Sequence, residues 1–388
     1  MNTPNSIGAR SWVDWRNMNA LAVGFMLLAL PSLTLGCRQL HAERRVLIAI
    51  VFLLLVPVSR ADVRQPTTLR DLAAARGIAI GTAVAPGRLR DDAGYRDRLG
   101  VEFSSVTPED ALKWSVVEPV RGQYDFTDAD HLVDFAMRHG QSVRGHTLVW
   151  HQSLPDWLTG GGFHAFELRT ILKGHIETVM TRYRGRIAVW DIANEVLADD
   201  GTLRRGFWLD NLGPQYIADA FRWARAADPQ AKLYLNEYGA EHDGAKAQGL
   251  RALVKDLKAQ GVPIDGVGFQ THVMASNRLP GLGDMLRGVA ALGVDVAITE
   301  LDVGMQLPVD ALSVHQQAYA YGAAARACLS TPRCRSLTVW GFTDAVSWIP
   351  THYFGFGAAT LLDETLAAKG AYHSLACALT IEATCLGG

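Results

Sequence analysis

Two short stretches of this chain each lead an apolar run into carboxylates. One is Ile187-Ala-Val-Trp-Asp-Ile-Ala-Asn-Glu-Val-Leu197, which carries Asp191, Asn194 and Glu195. The other is Val294-Asp-Val-Ala-Ile-Thr-Glu-Leu-Asp302, which carries Glu300 and Asp302. An apolar strand with a carboxylate at its C-terminal tip is how a parallel α/β barrel presents reacting groups. Two such strands suggest a pair of acids facing one cleft. A pair of that kind can divide the work: one acid donates a proton while the other stays ionised against developing positive charge. The plainer alternative is two unrelated surface acids.

The elements that must position these acids follow from the pattern of apolar residues. Short β-branched or apolar runs occur at Ile78–Val84, Phe103–Val106, Ser142–Val149, Ile187–Ile192, Lys232–Leu235, Gly266–Phe269, Val294–Thr299 and Leu337–Phe342. Amphipathic stretches lie between them, among them Ala129–Arg138, Phe166–Arg182, Tyr216–Ala227, Ala245–Gln260 and Val314–Leu329. Alternating strands and helices imply a parallel sheet. Eight such units in one domain-sized chain predict a closed (β/α)₈ TIM barrel as a single catalytic domain. A doubly wound open sheet is the competing fold, but no G-x-G-x-x-G follows the first strand.

In a closed barrel the C-terminal strand ends share one rim. Here that rim would collect Glu109, Asp110, Lys113 and Trp114 after the second strand, and His146, Trp150 and His151 from the third. The fourth and fifth supply Asn194, Glu195, Asn236, Glu237 and Tyr238; the sixth supplies Gln270 and His272. The seventh gives Glu300 and Asp302, and the eighth Trp340, Asp344 and Trp348. Clustering at one face favours a site over scattered structural acids. The set holds no Ser-His-Asp constellation and no His-rich metal triad, so neither a metal nor a cofactor is expected. Aromatic platforms with paired carboxylates fit glycosidic bond cleavage. A nucleophilic second carboxylate would sit ~5–5.5 Å from the first, and one that only activates water ~6.5–9.5 Å away. Trp190 and Trp223, in mid-strand and mid-helix, read as core, Asp191 as structural, and Asp344 equally as loop cap or site residue.

The composition agrees. The 388 residues are 49% hydrophobic and 20% charged with net charge −2, an ordinary globular balance. Nothing in it marks a nucleic-acid partner, which would need a basic excess to neutralise phosphates. Two apolar runs, residues 20–36 and 46–58, precede the barrel. The second follows Arg44-Arg45 and ends with Ser59 and Ala61 at small-residue positions, the pattern of an export signal cleaved after Ala61. Residues 1–61 are therefore expected to be a targeting region, with an additional upstream apolar segment, and 62–388 the catalytic domain. Export to the periplasm or medium follows, with membrane attachment only if the N-terminal segment is retained. The four cysteines after Cys37 allow three pairings; their close spacing favours Cys328–Cys334 and Cys377–Cys385 in an oxidising compartment.

Five motifs carry a resemblance to a known family. They are Gly145-His-Thr-Leu-Val-Trp-His151, Trp190-Asp-Ile-Ala-Asn-Glu195, Gly266-Val-Gly-Phe-Gln-Thr-His272, Ile298-Thr-Glu-Leu-Asp302 and Val339-Trp-Gly-Phe-Thr-Asp344. In this order the chain resembles glycoside hydrolase family ten, the endo-β-1,4-xylanases, over roughly residues 72–378. The resemblance implies a retaining double displacement on internal bonds of xylan or xylo-oligosaccharides, by a monomer. Glu195 would be the acid/base and Glu300 the nucleophile. Asn194 would bind the sugar 2-hydroxyl. Glu109, Asp110 and Lys113 would hold the neighbouring xylose, and His146, Trp150, Tyr238 and Gln270 would line the substrate cleft. His272 and Asp302 would orient Glu300, with His272 also facing the sugar, and Trp340 and Trp348 would be the sugar platforms.

The chain departs from the family pattern in places. Asp110 stands where an Asn is usual, exchanging an amide donor for an acceptor and pointing to a shifted subsite or a different partner for Lys113. Gln152-Ser153 has the reverse of the common order. Ile349-Pro350 follows Trp348 where Arg is frequent. Glu237-Tyr238-Gly239 replaces Asp-Tyr-Asn, and Lys369-Gly370-Ala371-Tyr372 lacks the usual Pro. Two other functions compete with a xylanase: a cellulase or mannanase on the same barrel, and a catalytically dead polysaccharide-binding barrel.

Overall fold

The computed structural model describes residues 68–380. The expected export segment and Cys385, and with it the expected Cys377–Cys385 pairing, lie outside the described residues. Ten strands occur in chain order: β1 (Ala79–Val84), β2 (Ser105–Pro108), β3 (Ser142–Gly145), β4 (Val189–Asn194), β5 (Lys232–Glu237), β6 (Gly266–Phe269), β7 (His272–Met274), β8 (Asp295–Gln306), β9 (Cys334–Val339) and β10 (Phe356–Gly357). Strands β1 to β6, β8 and β9 each pair in parallel with the next, and β9 pairs back with β1. The sheet therefore closes on itself, so its barrel strands leave no unpaired edge.

The expected helices form between the strands, at Thr127–Arg138, Ala165–Arg182, Gln215–Ala227, Ala245–Ala259 and Ala311–Leu329. Their apolar faces cover the barrel. Leu172, Ile176, Val179 and Met180 of one helix are buried, as are Ile80, Val106, Val143 and Val267 of the strands. Each such side chain contributes ~1.5–3 kcal/mol by leaving water. Trp190 is core as expected, wholly buried and packed near Tyr183. Trp223 is only half-buried and lies beneath the Arg169 guanidinium, 5.3 Å from its centre. Two glycines are set by close packing. A Cβ at Gly145 would fall 2.2 Å from the Trp190 ring, and one at Gly268 would fall 2.2 Å from Asn236 Oδ1.

Strands β2 and β4 lie two residues later than expected and β5 runs two residues further, but three others differ more from the sequence-based expectation. β3 stops at Gly145, four residues early; Leu148 N and Val149 N then donate to Asp191 O and Ile192 O, at 3.1 Å each, so the chain stays against β4 outside the ladder. β9 starts at Cys334 and ends before Trp340. β8 runs to Gln306, well past Thr299. Its barrel pairing with β6 ends at Phe269↔Ile298, and residues 302–306 gain new partners in β7 and the antiparallel β10. Glu300 and Asp302 thus lie within a strand rather than at its tip. Cys328 and Cys334 form a disulfide joining the end of the Ala311–Leu329 helix to the start of β9. Among the described residues, no helix is long and apolar enough to cross a membrane.

Candidate active site

Register between β7 and β8 builds the surroundings of Glu300. β6 and β7 are separated by a kink at Thr271, whose φ is +65° and whose N–H donates to Glu241 Oε1 at 2.8 Å. The kink delivers His272 directly opposite Asp302. His272 Nε2 then lies 3.1 Å from Glu300 Oε2, and His272 Nδ1 lies 3.0 Å from Asp302 Oδ1 as an ion contact rather than an aligned hydrogen bond. Trp348 Nε1 donates to Asp302 Oδ2 at 2.6 Å. The other oxygen of Glu300 accepts from Asn236 Nδ2 at 2.6 Å, and Asn236 is itself fixed by Thr299 Oγ1 at 2.7 Å.

Charge in this group is decided by competition. Burial opposes ionisation of Glu300, but the His272 hydrogen bond and the charges of His146 and His272 together hold it below the ordinary glutamate value. Burial also opposes a proton on His272; the close charge of Asp302, with the Glu300 bond and charge, raises His272 well above the ordinary histidine value. The site therefore holds an ionised Glu300 against a protonated His272, with Asp302 behind them.

Glu195 is held differently. It follows β4, past a register shift between Asp191 and Ala193, and its φ is +56°. That left-handed geometry costs a non-glycine residue ~1–3 kcal/mol and persists only where neighbours enforce it. Its N–H donates to Asn236 O at 2.9 Å. Glu195 Oε1 accepts from Gln270 Nε2 at 3.1 Å and Asn194 Nδ2 at 3.3 Å, and His151 Nδ1 lies 3.9 Å from Oε2. Asn194 Oδ1 accepts from Asn236 Nδ2 at 2.9 Å and from Gln270 Nε2 at 3.3 Å. The two carboxylates are thus linked through amides alone, along Gln270, Asn194 and Asn236. One has an imidazolium pressed against it and the other has not.

The remaining rim residues form walls. Lys113 Nζ pairs with Asp110 Oδ1 at 2.6 Å and sits 5.3 Å from the Trp150 ring centre. Glu109 is pushed up to about 7, by burial first and then by Asp110, with Lys113 opposing. His146 is buried, and its Nδ1 lies 3.1 Å from Asp191 Oδ2. Asp191 also pairs with Arg144, so it underlies the site and orients His146. Trp340, 8% exposed, meets His146 and His272 edge-on, with ring centres 5.4 and 6.1 Å apart. Trp348 is half-buried, its ring centre 4.9 Å from that of His272. Tyr238 is tied to protein: its hydroxyl accepts from Arg204 Nη2 at 2.8 Å and donates to Asp199 Oδ1 at 2.9 Å. Asp344 is a loop anchor, holding Thr360 N, Thr360 Oγ1 and Lys369 Nζ at 2.9, 2.8 and 2.8 Å.

Asn236 ties Glu300 to Asn194, the neighbour of Glu195, yet stood in the sequence only as one strand-end amide among several. Its signal was a polar residue continuing the apolar run of β5 into the barrel. Arg204, after β4, and Lys246, in the first turn of the Ala245–Ala259 helix, carried no comparable signal.

A closed parallel barrel whose rim holds two unlike carboxylates, amide donors and aromatic walls defines a glycosidase. Residues 68–378 match the family described as Glycosyl hydrolase family 10, and the chain belongs to that family. It is 42% identical over 311 residues to Endo-1,4-beta-xylanase A of Phanerodontia chrysosporium, covering 79% of this chain and 76% of that protein. It is 37% identical over 329 residues to Endo-1,4-beta-xylanase B of Thermotoga neapolitana, covering 84% and 95%. Among solved structures it resembles xylanase 10B of Thermotoga petrophila RKU-1 in complex with xylobiose, with TM-score 0.79 and 38% identity, covering 81% of this chain and 98% of that one.

Proposed function

We propose that this chain is a retaining endo-1,4-β-xylanase with Glu300 as nucleophile and Glu195 as acid/base. The observation that carries the assignment is the unlike setting of the two carboxylates: Glu300 accepts from Asn236 and lies 3.1 Å from the His272 ring nitrogen, whereas Glu195 meets amides and a more distant imidazole. In the first step a Glu300 oxygen bonds to the anomeric carbon as the C1–O bond breaks. The electron pair leaves on the glycosidic oxygen, which takes the proton of Glu195. The ester then carries no charge on Glu300. Glu195, now ionised, accepts a proton from water as water attacks the same carbon and releases Glu300. The names of the relatives and the xylobiose in the Thermotoga petrophila structure support xylan and xylo-oligosaccharides as substrates.

Xylose differs from glucose in lacking the C6 hydroxymethyl. Trp348, braced by Asp302 and standing against His272, would disfavour a sugar carrying that bulkier group. A higher kcat/KM on an aryl β-xylobioside than on the matching cellobioside is expected. The reverse order would make the enzyme a cellulase, and no reducing-sugar release from xylan would support a binding barrel. Lys113 pairs with Asp110 at 2.6 Å, which makes Asp110 its partner in the neighbouring subsite.

Export and a monomeric state belong to the same proposal. The Cys328–Cys334 disulfide suits an oxidising compartment. The expected cleavage after Ala61 is checked by N-terminal sequencing of the mature protein.

His272 supplies a test through pH. Removing it takes away the hydrogen bond and charge that lower Glu300, while the burial that raises it stays. The ionised nucleophile of His272→Asn would then be lost at higher pH. The acid limb of kcat/KM on an aryl xylobioside is expected to move upward in pH, and an unmoved limb would remove His272 from this role.

A further inference from the structure

The segment that carries Glu195 is gripped at three backbone points. Arg204 Nε donates to Glu195 O at 2.9 Å, Arg204 Nη2 donates to Leu197 O at 2.8 Å, and Leu197 N donates to Glu237 Oε1 at 2.9 Å. The groups that grip are themselves tied together. Tyr238 accepts from Arg204, and the Lys246 ammonium lies 3.2 Å from Glu237 Oε2 and 3.2 Å from the Tyr238 ring centre. Lys246 is 4% exposed and Glu237 not at all.

A buried ion pair is weak evidence of stabilisation, because desolvation offsets most of the attraction. What this one does is fix geometry. Glu195 sits in a left-handed conformation that it would leave if unconstrained. The grip falls on its own carbonyl and on the backbone two residues beyond, and none of the gripping side chains bonds to the Glu195 carboxyl or to Glu300.

We propose that Glu237, Lys246, Tyr238 and Arg204 form a buried clamp that positions the proton-donating carboxyl of Glu195, an inference that rests on the xylanase reading. As the C1–O bond breaks and its electrons leave on oxygen, the Glu195 O–H passes its proton to that oxygen. A carboxyl displaced by loss of the clamp slows this transfer and leaves attack by Glu300 intact. The defect therefore grows with the leaving group's need for a proton, which a general loss of structure would not produce.

The test compares kcat/KM on phenyl β-xylobioside and 2,4-dinitrophenyl β-xylobioside, which differ only in leaving group. Lys246→Met is expected to lose ~10–100-fold on the phenyl substrate and stay within about threefold on the dinitrophenyl one. Tyr238→Phe keeps the ring beneath the ammonium and removes the hydroxyl; the same split is expected, smaller, and it decides the matter if Lys246→Met does not fold. Equal losses on both substrates, or no loss on either, would overturn the clamp. A wild-type enzyme inactive on both would overturn the xylanase reading instead.

Discussion

Replacing Glu300 with Ala is expected to lower kcat on xylan by at least ~10⁴-fold, and azide is expected to restore turnover of an activated aryl xylobioside. The truncated side chain opens a space at the face of the anomeric carbon that the carboxylate occupied. Azide can enter that space and bond to the carbon while the aryl group leaves from the opposite face. A single displacement inverts, so the product is the α-xylobiosyl azide, identified by the coupling of its anomeric proton in NMR. His272 and Asn236, which bond to the two oxygens of Glu300, stay in place. Recovery of the β-azide would assign the attacking group elsewhere.

Glu195→Ala is expected to behave in the opposite sense. Loss of general acid catalysis costs ~10²–10⁴-fold where the leaving oxygen needs a proton, and close to nothing where it does not. Xylan hydrolysis falls by that factor. With 2,4-dinitrophenyl xylobioside the first step remains fast, while hydrolysis of the intermediate slows for want of a base, so a burst of dinitrophenol precedes slow turnover. Azide needs no base and speeds the second step, giving the β-azide after two inversions. Equal loss on xylan and on the activated substrate would show that Glu195 does more than move a proton. Gln270 and Asn194 contact one carboxyl oxygen of Glu195, and His151 Nδ1 lies 3.9 Å from the other.

The barrel was legible because each strand run is short, apolar and followed by a helical period, and five motifs fell at strand ends. The length of β8 was not. Glu300 and Asp302 looked like a terminus, yet polar residues continue inside that strand because β7 and β10 pair with it beyond the barrel. Asp344 illustrates the same limit: Thr360 and Lys369, which make it an anchor, lie too far along the chain for local pattern to relate them. The family resemblance named His272 and Asp302 together, but their meeting face to face depends on the kink at Thr271. Lys246 lies within one of the expected helices, and its burial against Tyr238 and Glu237 appears only in the fold.

A retaining mechanism requires a covalent bond between Glu300 and the sugar. The direct measurement is a peptide map by mass spectrometry after incubation with 2,4-dinitrophenyl 2-deoxy-2-fluoro-β-xylobioside, which slows the second step more than the first. The expected result is one added fluoroxylobiosyl mass on the peptide containing Glu300. An adduct on the Glu195 peptide, or an active enzyme that releases dinitrophenol without any adduct, would contradict it.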